Sequence, residues 1–274
     1  MDILFFGQAS ALILCAIAAY FDLKSGIIPD RLNYLFIAVG ILINLVGFNL
    51  VAFGIAALVF AFGYLLYMAG KIGGGDVKMF VALALLMPLQ NGRVFIIDLL
   101  LVASIIALVV VSVYYLAKYA KKGIKLEDNK KNLPFAAIML LLSAAYVYVF
   151  YSFMHASLFF TGVLSIILLC ATAFVALERG IRKEFFLEKV KLGKLDEDEI
   201  IAYDFIDEKT KKIILGESKV LKGVLGEKEI ENLRKAKIME ILVYRSLPKF
   251  APFVLIALIV LLVSPNSVER LIFW

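Results

Sequence analysis

A succession of long apolar runs separated by short polar connections constrains this chain more than any other feature. The runs fall at residues 3–21, 32–48, 51–69, 76–90, 94–117, 133–151, 157–177 and 250–264. Of the 274 residues 63% are hydrophobic, and mean hydropathy is +0.94. Soluble domains run about 45–50% apolar, so the surplus has to face lipid. In hydrocarbon every backbone amide must be satisfied within its own segment, which makes each run a helix. The expected fold class is a membrane all-α polytopic helix bundle of about eight spans, or six if 133–177 does not cross. The run at 76–90 ends at Met87-Pro88. At about 1.5 Å per residue it reaches only about 22 Å, so it must thin the bilayer or begin inside protein. The start MDILFFGQAS carries an acid and no basic leader region, and reads as a span, not a cleaved signal.

Charge orients the bundle. With the N-terminus outside, the inner connections hold Lys24, Arg31, Lys71, Lys78 and the lysine-rich stretch 118–131, and the outer ones only Arg93 and Arg270. That is a positive-inside pattern. Trp274 and Phe273 then fall at the outer interface. The net charge of +6 points to cytoplasmic loops and anionic lipid, with no aromatic-basic stripe for nucleic acid. Residues 178–249 are dense in charges of both signs and read as a soluble cytoplasmic α+β insert. Within it 200–206 reads as a strand, 207–210 as a turn, 212–215 as a returning strand, 227–237 as a helix and 239–244 as a third strand. The domain division is thus 1–177, a transmembrane domain; 178–249, the insert; and 250–274, a last span and outer tail. Two cysteines, Cys15 and Cys170, fall inside apolar runs and read as small apolar residues. With one histidine, His155, in an outer turn, no multi-histidine metal centre can be built, so neither metal nor cofactor is expected.

Two acidic positions share one depth at the inner face. One is Asp22, in Asp22-Leu23-Lys24-Ser25-Gly26-Ile27-Ile28-Pro29-Asp30; the other is Asp76, in Gly73-Gly74-Gly75-Asp76-Val77-Lys78. Taken alone, Asp22 is an end-of-helix residue reaching for the interface, and Asp76 a helix cap. Together they suit peptide hydrolysis. One carboxylate takes a proton from water and the other donates to the carbonyl oxygen, since like charges about 3 Å apart hold one proton between them. Gly73, Gly74 and Gly75 remove side-chain bulk, so an extended substrate backbone can approach. Lys24 and Lys78, each two residues past an aspartate, and Asp30, read as a cap for the next helix, are candidate supporting groups.

Gly73-Gly74-Gly75-Asp76 is the Gly-x-Gly-Asp signature of membrane aspartyl proteases. With the Asp22…Ile28-Pro29-Asp30 stretch before it, residues 5–90 closely resemble the type IV prepilin peptidases. Residues 180–264, leading through Leu247-Pro248-Lys249-Phe250-Ala251-Pro252-Phe253 into the last run, resemble more loosely the C-terminal part of archaeal prepilin and preflagellin peptidases. The resemblance implies an aspartic endopeptidase in the cell membrane with Asp22 and Asp76 catalytic. Its partners are pilin-like or archaellin precursors, whose short basic leader is cut at the cytoplasmic face. The four-cysteine zinc loop of bacterial relatives is absent, and the pair of runs at 133–177 departs from a six-span preflagellin form. Two alternatives stay open. One is an intramembrane protease of the presenilin or signal-peptide-peptidase type, whose Pro-Ala-Leu element is missing here. The other is a transporter or assembly protein, for which Asp98 is the one acid well inside a long run. Neither the oligomeric state nor the choice among precursors is legible.

Overall fold

The computed structural model describes residues 3–153, 157–195, 199–215, 223, 225–236, 238–245 and 247–265, and every apolar run is a helix in it. These are α1 (Ile3–Ser25), α2 (Asp30–Val46), α3 (Leu50–Met68), α4 (Gly74–Leu86), α5 (Phe95–Lys122), α7 (Leu133–Ser152), α8 (Leu158–Phe185) and α11 (Ala251–Val263), with a one-turn α6 (Leu126–Asn129) between α5 and α7. The chain is mostly helical, and α1, α3, α5, α7 and α8 are long and apolar enough to cross a membrane. At 17 residues α2 falls just short, and α4 and α11 have 13 each. His155, Arg270, Phe273 and Trp274 lie outside the described residues.

The shortness of α4 has a packing reason. Val77, Met79, Phe80 and Ala82 to Leu86 are all buried, on every side of the helix. It runs as an internal post enclosed by α2, α3 and α1. A helix apolar all round belongs in an interior. On one flank α1 presents Ala11, Leu14, Cys15 and Ala18 at helical spacing, all 0% exposed, and α11 presents Ala251, Val254, Ala257, Leu258 and Leu261. In lipid, helices associate through close packing, which small residues allow. Asn44 adds polar glue: its Nδ2 donates to the carbonyls of Gly40 on α2 and Leu85 on α4, both at 2.7 Å. By contrast α7 buries almost nothing within the chain; Phe135, Leu141, Leu142 and Tyr148 stand exposed.

Beyond Met87 a hairpin not expected from the sequence, β1 (Leu89–Gln90) and β2 (Arg93–Val94), turns at Asn91-Gly92, both with positive φ. The run read as 76–90 therefore stops at Leu86. Asp98 is paired with Arg93 at 3.4 Å, beside this hairpin. At the opposite end α5 continues to Lys122 and α8 to Phe185. There Lys122 meets Glu184 (2.9 Å) and Lys183 meets Asp128 (2.8 Å), so part of the basic stretch is neutralised within the fold.

The charged segment forms a three-stranded antiparallel sheet in the order β3 (Leu187–Lys191), β5 (Glu240–Tyr244), β4 (Ile200–Ile201), with α9 (Glu208–Leu215) and α10 (Glu227–Lys235). Leu187 pairs with Tyr244, and Ile200 pairs with the same residue from the other side. Val190, Ile201, Ile214, Leu225, Leu233, Ile241 and Val243 make its core. Two expectations are corrected. The stretch 200–206 is strand only at Ile200–Ile201, followed by a 3-10 turn, and Glu208–Leu215 is a helix in place of the rest of the turn and the returning strand. Asp207 decides the second case. Its carboxylate accepts from the Thr210 amide (3.1 Å) and the Thr210 hydroxyl (2.7 Å), a side-chain cap that starts α9. Those bonds hold the Asp207 carboxyl below the usual carboxylate range. The helix expected over 227–237 is described to Lys235, and Lys237 lies outside the described residues. Gly223 joins this unit to the bundle: its N–H donates to the Met68 carbonyl at the end of α3 (3.1 Å), and its carbonyl accepts from Ile201 (3.2 Å).

Candidate active site

Asp22 stands in the last turn of α1, and only 7% of it is exposed. This is an awkward place for a carboxylate, because it is buried and lies at the negative pole of its own helix. The compensation comes from the far end of the chain. Asp22 Oδ2 accepts the backbone N–H of Ala251, the first residue of α11, at 3.0 Å. Asp76, half-buried, lies in the first turn of α4, where the dipole favours an anion. The negative charge of Asp22 acts on Asp76. Each therefore rests on the amino end of a helix, α11 for one and α4 for the other, and this offsets part of their mutual repulsion.

The glycines differ in what they do. Gly73 precedes α4 in an extended conformation, and a side chain there would crowd the Asp76 carboxylate. Gly75 is the point of contact with the other acid's segment: a Cβ would lie 3.3 Å from both the Cβ and the carbonyl oxygen of Ile28, in the connection that follows Asp22. The two acid-bearing segments thus touch through a glycine. Asn33 of α2, 0% exposed, locks this contact by donating from Nδ2 to the Gly75 carbonyl at 3.0 Å.

The candidate supporting residues separate. Lys78 pairs with Asp30 at 2.7 Å and lies over the Tyr34 ring, on the outer side of α4 and α2. Asp30 is the first residue of α2, and the helix has no side-chain cap; the Asp30 carboxylate goes to Lys78 instead. Lys24 is exposed and turned back to the Tyr20 hydroxyl at 3.4 Å. Among the described residues none of the three forms an ion pair with Asp22 or Asp76. Sequence reasoning missed Asn33, Ala251 and Lys249, whose amine occupies the space a side chain at Gly26 would need. Gly26 has φ +73°, and its N–H closes the end of α1 on the Asp22 carbonyl. The signal for Asn33 was its being one of two asparagines in a largely apolar helix; for Ala251 no local signal exists. Among the described residues no group of three His, Cys, Asp or Glu side chains is placed to hold a metal ion.

The glycine turn that carries Asp76 thus packs against the connection that follows Asp22. Residues 9–113 match the type IV leader peptidase family. The match runs from α1 into α5 and contains both aspartates, the glycine turn and Asn33. Prepilin peptidase EppA of Methanothermobacter thermautotrophicus is 40% identical over 92 residues, 31% of this chain and 24% of that relative. The similarity thus spans about a quarter of the relative's length. No solved structure matches the chain. The segment that matches the family model carries both aspartates; α7, α8, the small sheet unit and α11 lie beyond it.

Proposed function

We propose that this chain is a membrane-embedded aspartyl endopeptidase that removes the short basic leader from pilin-like or archaellin precursors, with Asp22 and Asp76 as its catalytic pair. The observation that carries the reading is the packing of the Asp76 glycine turn against the connection that follows Asp22, inside the segment that matches the leader peptidase family. In this mechanism the pair holds one proton. The ionised carboxylate takes a proton from water as the water attacks the scissile carbonyl, and the protonated one donates to the developing oxyanion. On collapse of the tetrahedral intermediate the carboxyl that took the water proton gives it to the leaving amine as the C–N bond breaks, and the other carboxylate takes back a hydroxyl proton of the gem-diol as the carbonyl re-forms, so the pair again holds one proton. The glycine turn gives the substrate backbone room beside Asp76.

The proposed topology has eight spans, with α2, α4 and α11 crossing as short helices shielded by α1, α3 and α5. The N-terminus is outside, and the 178–249 segment is a cytoplasmic domain between a 1–177 transmembrane domain and a last span in 250–274. The excess of lysine and arginine on one set of connections supports that orientation and puts the aspartates at the cytoplasmic face. The pairing of Asp98 with Arg93 beside a hairpin weighs against an ion pathway through α5.

The test is co-expression with a pilin-type and an archaellin-type precursor, scored by the mobility shift on leader removal. Asp22→Ala and Asp76→Ala each abolish the shift while the protein still inserts, and the double variant is no worse than either single, as for groups acting as one unit. Substantial cleavage by either single variant refutes the pair.

A further inference from the structure

Resting on this reading, we propose that the first turn of α11 is a working part of the catalytic centre: the Ala251 amide is a positioning group that holds Asp22 Oδ2 and leaves Oδ1 as its reacting oxygen. A helix start leaves several amides without intrahelical partners. In α11 the Phe253 and Val254 amides both turn back to the Phe250 carbonyl, at 3.0 and 3.3 Å. Pro252 has no N–H to offer. Ala251 remains, fully buried and beyond reach of water, and its amide goes to Asp22, a carboxylate 229 residues earlier in the chain. The proline thus leaves one outward donor in this turn, and that donor meets one oxygen of one aspartate.

The presentation of that donor is built from both sides of the site. The Phe250 ring packs edge-on against Phe80 of α4, the helix that carries Asp76, with centroids 6.2 Å apart. On the other side the Lys249 amine lies against Gly26, four residues past Asp22. Three consecutive residues, 249 to 251, therefore touch both acid-bearing segments. Below them Val254, Ala257, Leu258 and Leu261 are buried in the main core, so the helix start has a fixed height and rotation. A carboxylate fixed at one oxygen by a rigid amide loses rotation about its terminal torsion. Its second oxygen is then held in one direction and carries no hydrogen bond among the described residues, which leaves it to react. This gives the last helix a role in the reaction although it lies outside the segment that matches the family.

The test replaces Ala251 by lactic acid through nonsense suppression in cell-free synthesis into lipid discs, which turns the amide into an ester, deletes the N–H and weakens the Phe250 carbonyl as an acceptor, a second effect that an ester elsewhere in the helix shares. We expect kcat for leader removal to fall about tenfold or more, with KM within about twofold and the thermal midpoint little changed. An ester at Ile256, exposed on the lipid side of the same helix, controls for loss of one backbone bond and keeps its kcat. Phe250→Ala lowers kcat in the same way and Phe250→Tyr restores it, since the ring contact with Phe80 is kept. An unchanged kcat in the Ala251 ester, a rise in KM alone, or a loss of rate equal to that of the Ile256 ester overturns the proposal. The Asp22→Ala and Asp76→Ala variants run beside it separate the two ideas. If they stay inactive while the Ala251 ester is normal, the positioning role fails and the catalytic pair stands; if they cleave, the pair itself is wrong.

Discussion

Gly75→Val perturbs the contact between the two acid-bearing segments without removing an acid. A β-carbon at residue 75 would sit 3.3 Å from the Cβ and the carbonyl oxygen of Ile28. Alanine therefore needs its neighbour to yield by a few tenths of an ångström, and the γ-carbons of valine demand more again. Ile28 has little room to retreat. It is 5% exposed in the main core, it is followed by Pro29 at the start of α2, and Asn33 on that helix holds the Gly75 carbonyl. Overpacking of this kind costs about 1–3 kcal/mol. The strain acts along the line that joins the Asp22 connection to the Asp76 turn, so it pries the carboxylates apart. A misplacement of about 1 Å at a reacting centre costs on the order of 100-fold in rate. The expected result is a fall in single-turnover leader removal of about 100-fold for valine and about tenfold or less for alanine. The assay uses purified protein in lipid discs with a precursor bearing a basic leader, and thermal unfolding of the same samples measures the folded fraction. Wild-type cleavage by Gly75→Val, or a loss no larger than the unfolded fraction accounts for, refutes the idea that this glycine sets the approach of the two acids.

Asn33→Leu removes the bond to the Gly75 carbonyl and should slow cleavage several-fold, with a loss of about 1–2 kcal/mol in stability; equal rates in Asn33→Leu and wild type would show that the glycine turn needs no such lock. For orientation, a single cysteine at Lys212 should react with an impermeant maleimide only from the cytoplasmic side, and one at Asn91 in the hairpin only from outside; the reverse pattern overturns the proposed topology. Asp207 titrates low in the fold because Thr210 donates to its carboxylate, so the stability it lends α9 is present above the ordinary carboxylate pKa and is lost as pH falls through its lowered value. Protection factors at 208–215, which correct for the intrinsic pH dependence of exchange, should therefore fall in acid in wild type, and in Asp207→Ala they should already be low at neutral pH; identical protection in the two proteins at neutral pH argues against the cap.

Local composition encodes the helices and the acids. Apolar runs of span length can hardly be anything but helices, because hydrocarbon offers no partner to an unpaired amide, and all eight runs are helices, although α8 runs well past its expected end at 177 to Phe185. The aspartates and the glycine turn were legible because their chemistry sits in contiguous letters. The small sheet unit was legible only in part. The apolar β-branched pair in Lys212-Ile213-Ile214-Leu215 reads as strand, yet these residues lie in a helix. Nothing within those four letters carries the cap, because Asp207 acts from upstream of them. In the same unit β3 at Leu187–Lys191 takes its partner from Glu240–Tyr244, far along the chain.

Which groups serve the two aspartates depends on packing instead. Lys24 and Lys78, close in sequence, turn away to Tyr20 and Asp30, since a long flexible lysine stem reaches whichever partner the fold offers. Asn33 and Ala251 come in instead, one from the next helix and one from the far end of the chain. A backbone amide has no side-chain identity, so nothing in the letter Ala marks residue 251 as the donor to Asp22. That role exists only once α11 packs against α1 and its proline and buried face leave one N–H without a partner of its own. The local pattern specifies helices and names the acids; the register in which those helices pack determines what holds the acids in place.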